Sequence, residues 1–241
     1  MRNSLKTYQF RPRQHTIQSF TIIRFMSRVY LWMMFGLALS ASMAYYLFSH
    51  NGLFYKIIYT PSLFFGLIIA QLSVVIGLTW LNQRLSAKTA TFIYIFYTLL
   101  TGTTLSVVLF MYTKQNVFDA LAVTSIAFLG LSAFGYTSKR DLGPIGTFCV
   151  MGLFGMLGMI LLSLFISKLH SDTMQLTIAA IGIIVFSGLT AYDTQRIKFA
   201  YFHADELTKS QQQKAAINGA LMLYLDFINL FLNLLRLFSR R

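Results

Sequence analysis

The chain is poor in the residues that a small soluble or secreted protein relies on. It has one cysteine, Cys149, so an internal disulfide framework is excluded. It has three prolines in 241 residues, which leaves long stretches free to be helical. It has seven acidic residues, and charged residues make up 11% of the sequence, where a soluble domain carries about 25%. So little charge cannot furnish a soluble surface, and 56% hydrophobic residues exclude disorder. The 20 Lys and Arg residues against seven acids would suggest nucleic acid in a soluble protein. Here the bases sit in short gaps between apolar runs, so the reading is no nucleic acid but an anionic lipid bilayer and a fixed topology.

What is present is a series of long apolar runs. A bilayer core needs about 20 apolar residues in a helix. Six runs qualify, at about 29–49, 57–81, 90–112, 117–135, 145–167 and 174–192. A seventh, 215–238, is long enough but carries Asn218, Asp226, Asn229, Asn233 and Arg236. The expected fold is an all-α membrane protein, a seven-helix transmembrane bundle over residues 29–241. Residues 1–28 hold Arg2, Lys6, Arg11, Arg13, Arg24 and Arg28 without the pattern of a signal peptide, and read as a basic cytoplasmic tail.

The distribution of bases sets the orientation. The tail has six. The gaps after the second, fourth and sixth spans hold Arg84 and Lys88, Lys139 and Arg140, and Arg196, Lys198, Lys209 and Lys214. The alternate gaps hold one each, Lys56, Lys114 and Lys168. The positive-inside rule then places the N-terminus in the cytoplasm. A fully spanning seventh segment leaves Arg240 and Arg241 outside, and a re-entrant one would not, so both forms stay open at this point.

Two carboxylates stand out at membrane depth, Asp193 at the end of the sixth span and Asp226 near the middle of the seventh. Ionisable residues inside spans cost about 2.5–3.5 kcal/mol on insertion scales and face the bundle interior. On a helical wheel Asn218, Met222, Asp226, Asn229, Asn233 and Arg236 fall within roughly 80°, with Tyr224 as the one strongly polar residue off the stripe. Such a stripe belongs against other helices or along water, and Asn218, Asn229 and Asn233 are candidates to line a pore or to act as interhelical glue. Gly152, Gly155 and Gly158 suggest tight packing of the fifth span. Asp141 reads as a turn or cap residue, Asp119 as a helix-opening acid, and His15, His50, His170 and His203 share no metal-ligand spacing.

Three stretches resemble a known family: residues 132–148 (SAFGYTSKRDLGPIGTF), 187–198 (SGLTAYDTQRIK) and 218–236 (NGALMLYLDFINLFLNLLR). They are similar to the Bax inhibitor-1 family, the transmembrane Bax-inhibitor-motif family, and to its bacterial branch in particular. The resemblance covers the first span to the end and leaves out residues 1–28. It implies six helices around a central seventh, and a pH-sensitive calcium leak gated by an aspartate pair that corresponds to Asp193 and Asp226. It implies a latch from an arginine of the second span, for which Arg84 is the nearest candidate. It also implies a bacterial inner membrane, and for some members a role in cell-death suppression or in modulating a membrane-bound protease.

The chemistry of the residues agrees with a leak. Two carboxylates in a poorly solvated site do not both ionise readily and titrate as a unit. Calcium prefers oxygen ligands, and Asp193 and Asp226 are expected to bind it only in transit. The ion is cargo, and no resident cofactor is expected. An intramembrane aspartyl protease would also place aspartates on two late spans, and Tyr192-Asp193 resembles its first motif. Its Gly-x-Gly-Asp is Leu223-Tyr224-Leu225-Asp226 here, and with only Pro12, Pro61 and Pro144 its Pro-Ala-Leu element is missing. The expectation is no enzyme. The alternative is a membrane adaptor that regulates a partner such as a protease or a cell-stress pathway.

Overall fold

The computed structural model describes residues 12–81, 85–163, 171–202 and 208–239, and these form eight α-helices with no strand among them. In chain order they are α1 (Pro12–Ser49), α2 (Asn51–Tyr59), α3 (Pro61–Leu81), α4 (Ala87–Phe110), α5 (Lys114–Thr137), α6 (Gly143–Ser163), α7 (Asp172–Phe202) and α8 (Lys209–Phe238). All except α2 are long and apolar enough to cross a membrane.

Local chemistry explains the breaks. The second run does not begin as one helix at residue 57, because Pro61 pushes Thr60 out of helical geometry (φ −119°, ψ 87°) and separates α2 from α3. Ser86 caps α4 by accepting from the Thr89 N–H, and Thr113 caps α5 by accepting from the Asn116 N–H. Asp141 Oδ1 accepts from the Gly143 N–H at 2.8 Å, so the expected cap residue opens α6. Asp119 lies inside α5 rather than at its start, and accepts from the Gln115 side chain. Thr208 and Gln211 form a reciprocal capping box at the start of α8.

Several helices run past the apolar runs that announce them. α1 starts at Pro12, within the stretch read as a tail, and Ile22, Phe25, Met26 and Val29 are buried in the core. α7 continues to Phe202, so Asp193 lies inside a helix and not at its end. It continues because Thr194, Gln195 and Ile197 are buried and the helix still has a face to cover. α8 is unbroken over 30 residues. That answers the re-entrant alternative, since a segment that turns back within the membrane must break its helix.

α8 is the axis of the bundle. Ala220, Leu223, Tyr224, Leu230 and Leu235 along it are fully buried. It packs directly on α1, α4, α5 and α7, while α3 packs on α4 and α6 on α7. The six other spans therefore surround α8 in two layers. Phe92, Ile126 and Phe148 show the outer surface, each about two-thirds exposed or more. A soluble protein could not display them, and a lipid-facing one must. The glycines of α6 depart from expectation. A methyl at Gly152 would meet Val185, whereas Gly155 and Gly158 face open space and mediate no packing.

Candidate functional site

The site lies where α7 meets α8, and two contacts define its register. Ile197 packs on Gly219 near the start of α8, and Asn233 fills the space where a Gly182 side chain would be. A larger residue at 182 would displace Asn233. In this antiparallel register Asp193 lies opposite residues 222–223 and Asp226 opposite residues 189–190. The two aspartates are thus about one helical turn apart in height, roughly 5 Å.

Asp226 is 4% exposed, and its Oδ2 is buried with no hydrogen-bond partner among the described residues. The charges of Asp226 and Asp193 act directly on each other. Asp193 also feels the Arg196 guanidinium one turn along α7. Cys149 of α6 reaches the same electrostatic neighbourhood, since the Asp226 charge acts on its thiol. The structure thus brings together the two aspartates that the sequence singles out. Arg84, the candidate latch, lies outside the described residues, as do His170 and His203.

The polar stripe of α8 is graded rather than uniformly enclosed. Asp226 and Asn233 lie on its buried edge. Asn218, Met222 and Asn229 are half-buried, and Arg236 is exposed. The asparagine amides serve their own helix: Asn229 Nδ2 donates to the Leu225 carbonyl at 2.8 Å, and Asn233 Nδ2 to the Asn229 carbonyl at 2.7 Å. The Asn233 Oδ1 is packed against α7 at Gly182.

The sequence reading missed the residues that hold α7 in place. Gln195 is 3% exposed and joins α7 to the α5–α6 connection. Its Oε1 accepts from the Leu142 N–H at 2.9 Å, and its Nε2 donates to the Arg140 carbonyl at 2.8 Å and the Ser138 carbonyl at 3.4 Å. Lys198 donates to the Tyr136 carbonyl at 2.7 Å with its ammonium over the Tyr136 ring. A backbone approach of α5 to α7 at Gly135 and Ala191 leaves no room for a side chain at 135. Two of the three recognisable stretches of the sequence, 132–148 and 187–198, therefore meet at this corner. The detectable signal was Gln195 itself, a polar residue on the buried face of a helix that outlasts its apolar run.

The other side of α8 carries a second polar cluster. Tyr224 OH shares a 2.6 Å hydrogen bond with Ser40 Oγ, which donates to the Thr98 carbonyl at 2.7 Å. Tyr94 OH donates to the Trp32 carbonyl at 2.7 Å, and the rings of Tyr94 and Tyr97 meet the Tyr224 ring edge to face. Among the described residues no three His, Cys, Asp or Glu side chains gather as a metal cage.

The chain matches the family model described as inhibitor of apoptosis-promoting Bax1 over residues 23–241. It is 43% identical over 218 residues to the inner membrane protein YbhL of Escherichia coli K12, covering 90% of this chain and 92% of that protein. It is 40% identical over 217 residues to an uncharacterized protein of Deinococcus radiodurans, covering 90% of each. A Borreliella burgdorferi protein, also uncharacterized, is 35% identical over 219 residues, covering 90% of this chain and 92% of its own length.

Proposed function

The chain belongs to the Bax inhibitor-1 family of membrane proteins, and on that premise we propose that it is a pH-sensitive leak for calcium, gated by Asp193 and Asp226. The observation that carries this reading is the buried Oδ2 of Asp226, without a hydrogen-bond partner among the described residues, within the field of Asp193. A buried carboxylate must find a partner, a cation or a proton. In the closed form one proton resides on the pair and cancels one of its two charges, which lets α7 lie against α8. Losing it puts two like charges into one seam, and their repulsion loosens the contact between the helices. A cation then meets the two carboxylates and the amide oxygen of the half-buried Asn229, enough to pass but too few to be held. No bond is made or broken, so the protein acts as a conductor and not as an enzyme. The name of its Escherichia coli relative favours a bacterial inner membrane, and the distribution of bases favours a cytoplasmic N-terminus.

The test is calcium flux into liposomes that contain the purified protein, measured from pH 5 to 8. The parent flux varies with pH. Asp193→Asn and Asp226→Asn each flatten that variation, because an amide has no proton to lose in this range. A double Asn variant that keeps the parent profile refutes the gate.

A further inference from the structure

Between α1, α7 and α8, at the end of the bundle where α7 finishes and α8 begins, lies a crevice of about 220 Å³. Phe25, Ile197, Ala200, Tyr201 and Met222 line it, and one cation, Arg196, stands at its wall. Phe25 and Tyr201 stack at 4.2 Å and close one side. Arg196 and Ala200 are exposed, so the other side opens outward. The crevice does not end there. Met222, Leu225, Asn229 and Leu232, spaced three and four apart along α8, all stay half-exposed, whereas the flanks of that helix are buried. The α1–α7 contact is slight compared with the packing of either helix on α8, and the crevice runs on as a shallow apolar groove along this open seam.

We propose that the crevice binds one anionic phospholipid of the adjoining leaflet, with its phosphate on the Arg196 guanidinium and one acyl chain entering between Phe25, Ala200 and Met222. The crevice is too small for a whole lipid and open along one side, which fits a chain segment whose remainder follows the groove. A guanidinium meets a phosphate through two parallel N–H donors, and a lipid phosphate is the anion at hand at this depth. Arg24 and Arg28, one and three residues from Phe25 on α1, are exposed and add to the positive charge of this end of the bundle. A zwitterionic headgroup would bring its own cation against the same bases, and an anionic one would not. A protein helix could fill the apolar groove but would offer Arg196 no phosphate, leaving it only the Asp193 carboxylate one turn away on its own helix. The proposal needs no calcium conduction, although Arg196 also acts on Asp193.

The experiment is native mass spectrometry of the full chain released from nanodiscs of mixed phosphatidylglycerol and phosphatidylcholine. The expected result is one retained phosphatidylglycerol per chain, preferred about tenfold over phosphatidylcholine, whose choline cation faces the same bases. Arg196→Gln abolishes the preference and Arg196→Lys keeps part of it. Ala200→Trp, at an exposed position, lowers retention of both lipids by filling the crevice. Lys88→Gln, at the exposed start of α4, leaves the preference intact. Thermal unfolding in phosphatidylcholine identifies any variant that fails to fold, and the remaining variants then decide. Parent-like preference in Arg196→Gln overturns the site, as does an equal loss in Lys88→Gln, which would mean diffuse attraction. Retention of a second chain in place of lipid overturns it in favour of a dimer face.

Discussion

The two sides of α8 solve the same problem in opposite ways. Both bury polar side chains at the centre of an apolar bundle. On the side facing α1 and α4, Tyr224 bonds Ser40, Ser40 bonds the Thr98 carbonyl, and Tyr94 bonds the Trp32 carbonyl. On the side facing α7, Asp226 keeps one carboxylate oxygen without a hydrogen-bond partner among the described residues, and the neighbouring stripe opens toward the outside. A fully satisfied buried network fixes its helices, while an unsatisfied group stores a cost that a change of protonation or a cation can relieve. The comparison teaches that α8 has a holding side and a working side. α7, pinned by Gln195 to the 138–142 connection, is anchored at one end of the working side.

The largest effect that sharpens this contrast comes from the holding side. Tyr224→Ala removes a fully buried ring that touches two other tyrosines. It is expected to cost about 3–5 kcal/mol, the range for deleting a large aromatic side chain from a core. Denaturant unfolding in detergent measures it. Asp226→Ala, measured alongside, costs much less, and equal losses would erase the distinction between the two sides.

A smaller effect isolates the hydrogen bond from the ring. Ser40→Ala and Tyr224→Phe each delete the same contact between α1 and α8, and each is expected to cost about 0.6–1.7 kcal/mol, the range measured for hydrogen bonds between membrane helices. The double variant costs little more than either single one, because the second substitution has nothing left to remove. Full additivity would show that Ser40 and Tyr224 act separately. Gln195→Leu belongs to the same scale on the other side. It strips the α5–α6 connection of its side-chain partner and is expected to raise amide exchange at Leu142, whose N–H it leaves unbonded.

Much of this contrast was legible in the sequence, for identifiable reasons. Asp193 and Asp226 are conspicuous because carboxylates are rare in apolar runs, and the helical wheel places Tyr224 apart from the polar stripe. The holding side was not legible. Ser40 lies in the small-residue run Ala38-Leu39-Ser40-Ala41 and looks like filler, and its partner on α4 is a backbone carbonyl, which no side chain announces. The early start of α1 did leave a signal. Ile22, Phe25, Met26, Val29 and Met33 repeat at three and four residues, but the bases between them outweighed that period. The spacing of Gly152, Gly155 and Gly158 misled in the opposite direction, because small residues permit close packing without requiring it.

The smallest expected effect is the most discriminating. Asp226→Asn keeps the shape of the side chain and removes no hydrogen bond from Oδ2, since that oxygen has none to lose. At pH 5, where the proposed pair carries its shared proton, the stability of the variant should lie within about 0.5 kcal/mol of the parent. As pH rises the proposed proton is lost, and the parent must hold two charges in the seam while the variant holds one. Repulsion between those two charges lowers the stability of the folded parent as pH rises, and the variant, with one charge, loses less. The two unfolding curves should therefore cross or diverge in favour of Asp226→Asn between pH 5 and 8. Tyr224→Phe, on the holding side, should stay offset from the parent by a constant amount over the same range, because no group near it titrates there. A constant offset for Asp226→Asn as well would make Asp226 a structural residue like Tyr224, and α8 would have two holding sides and no working one.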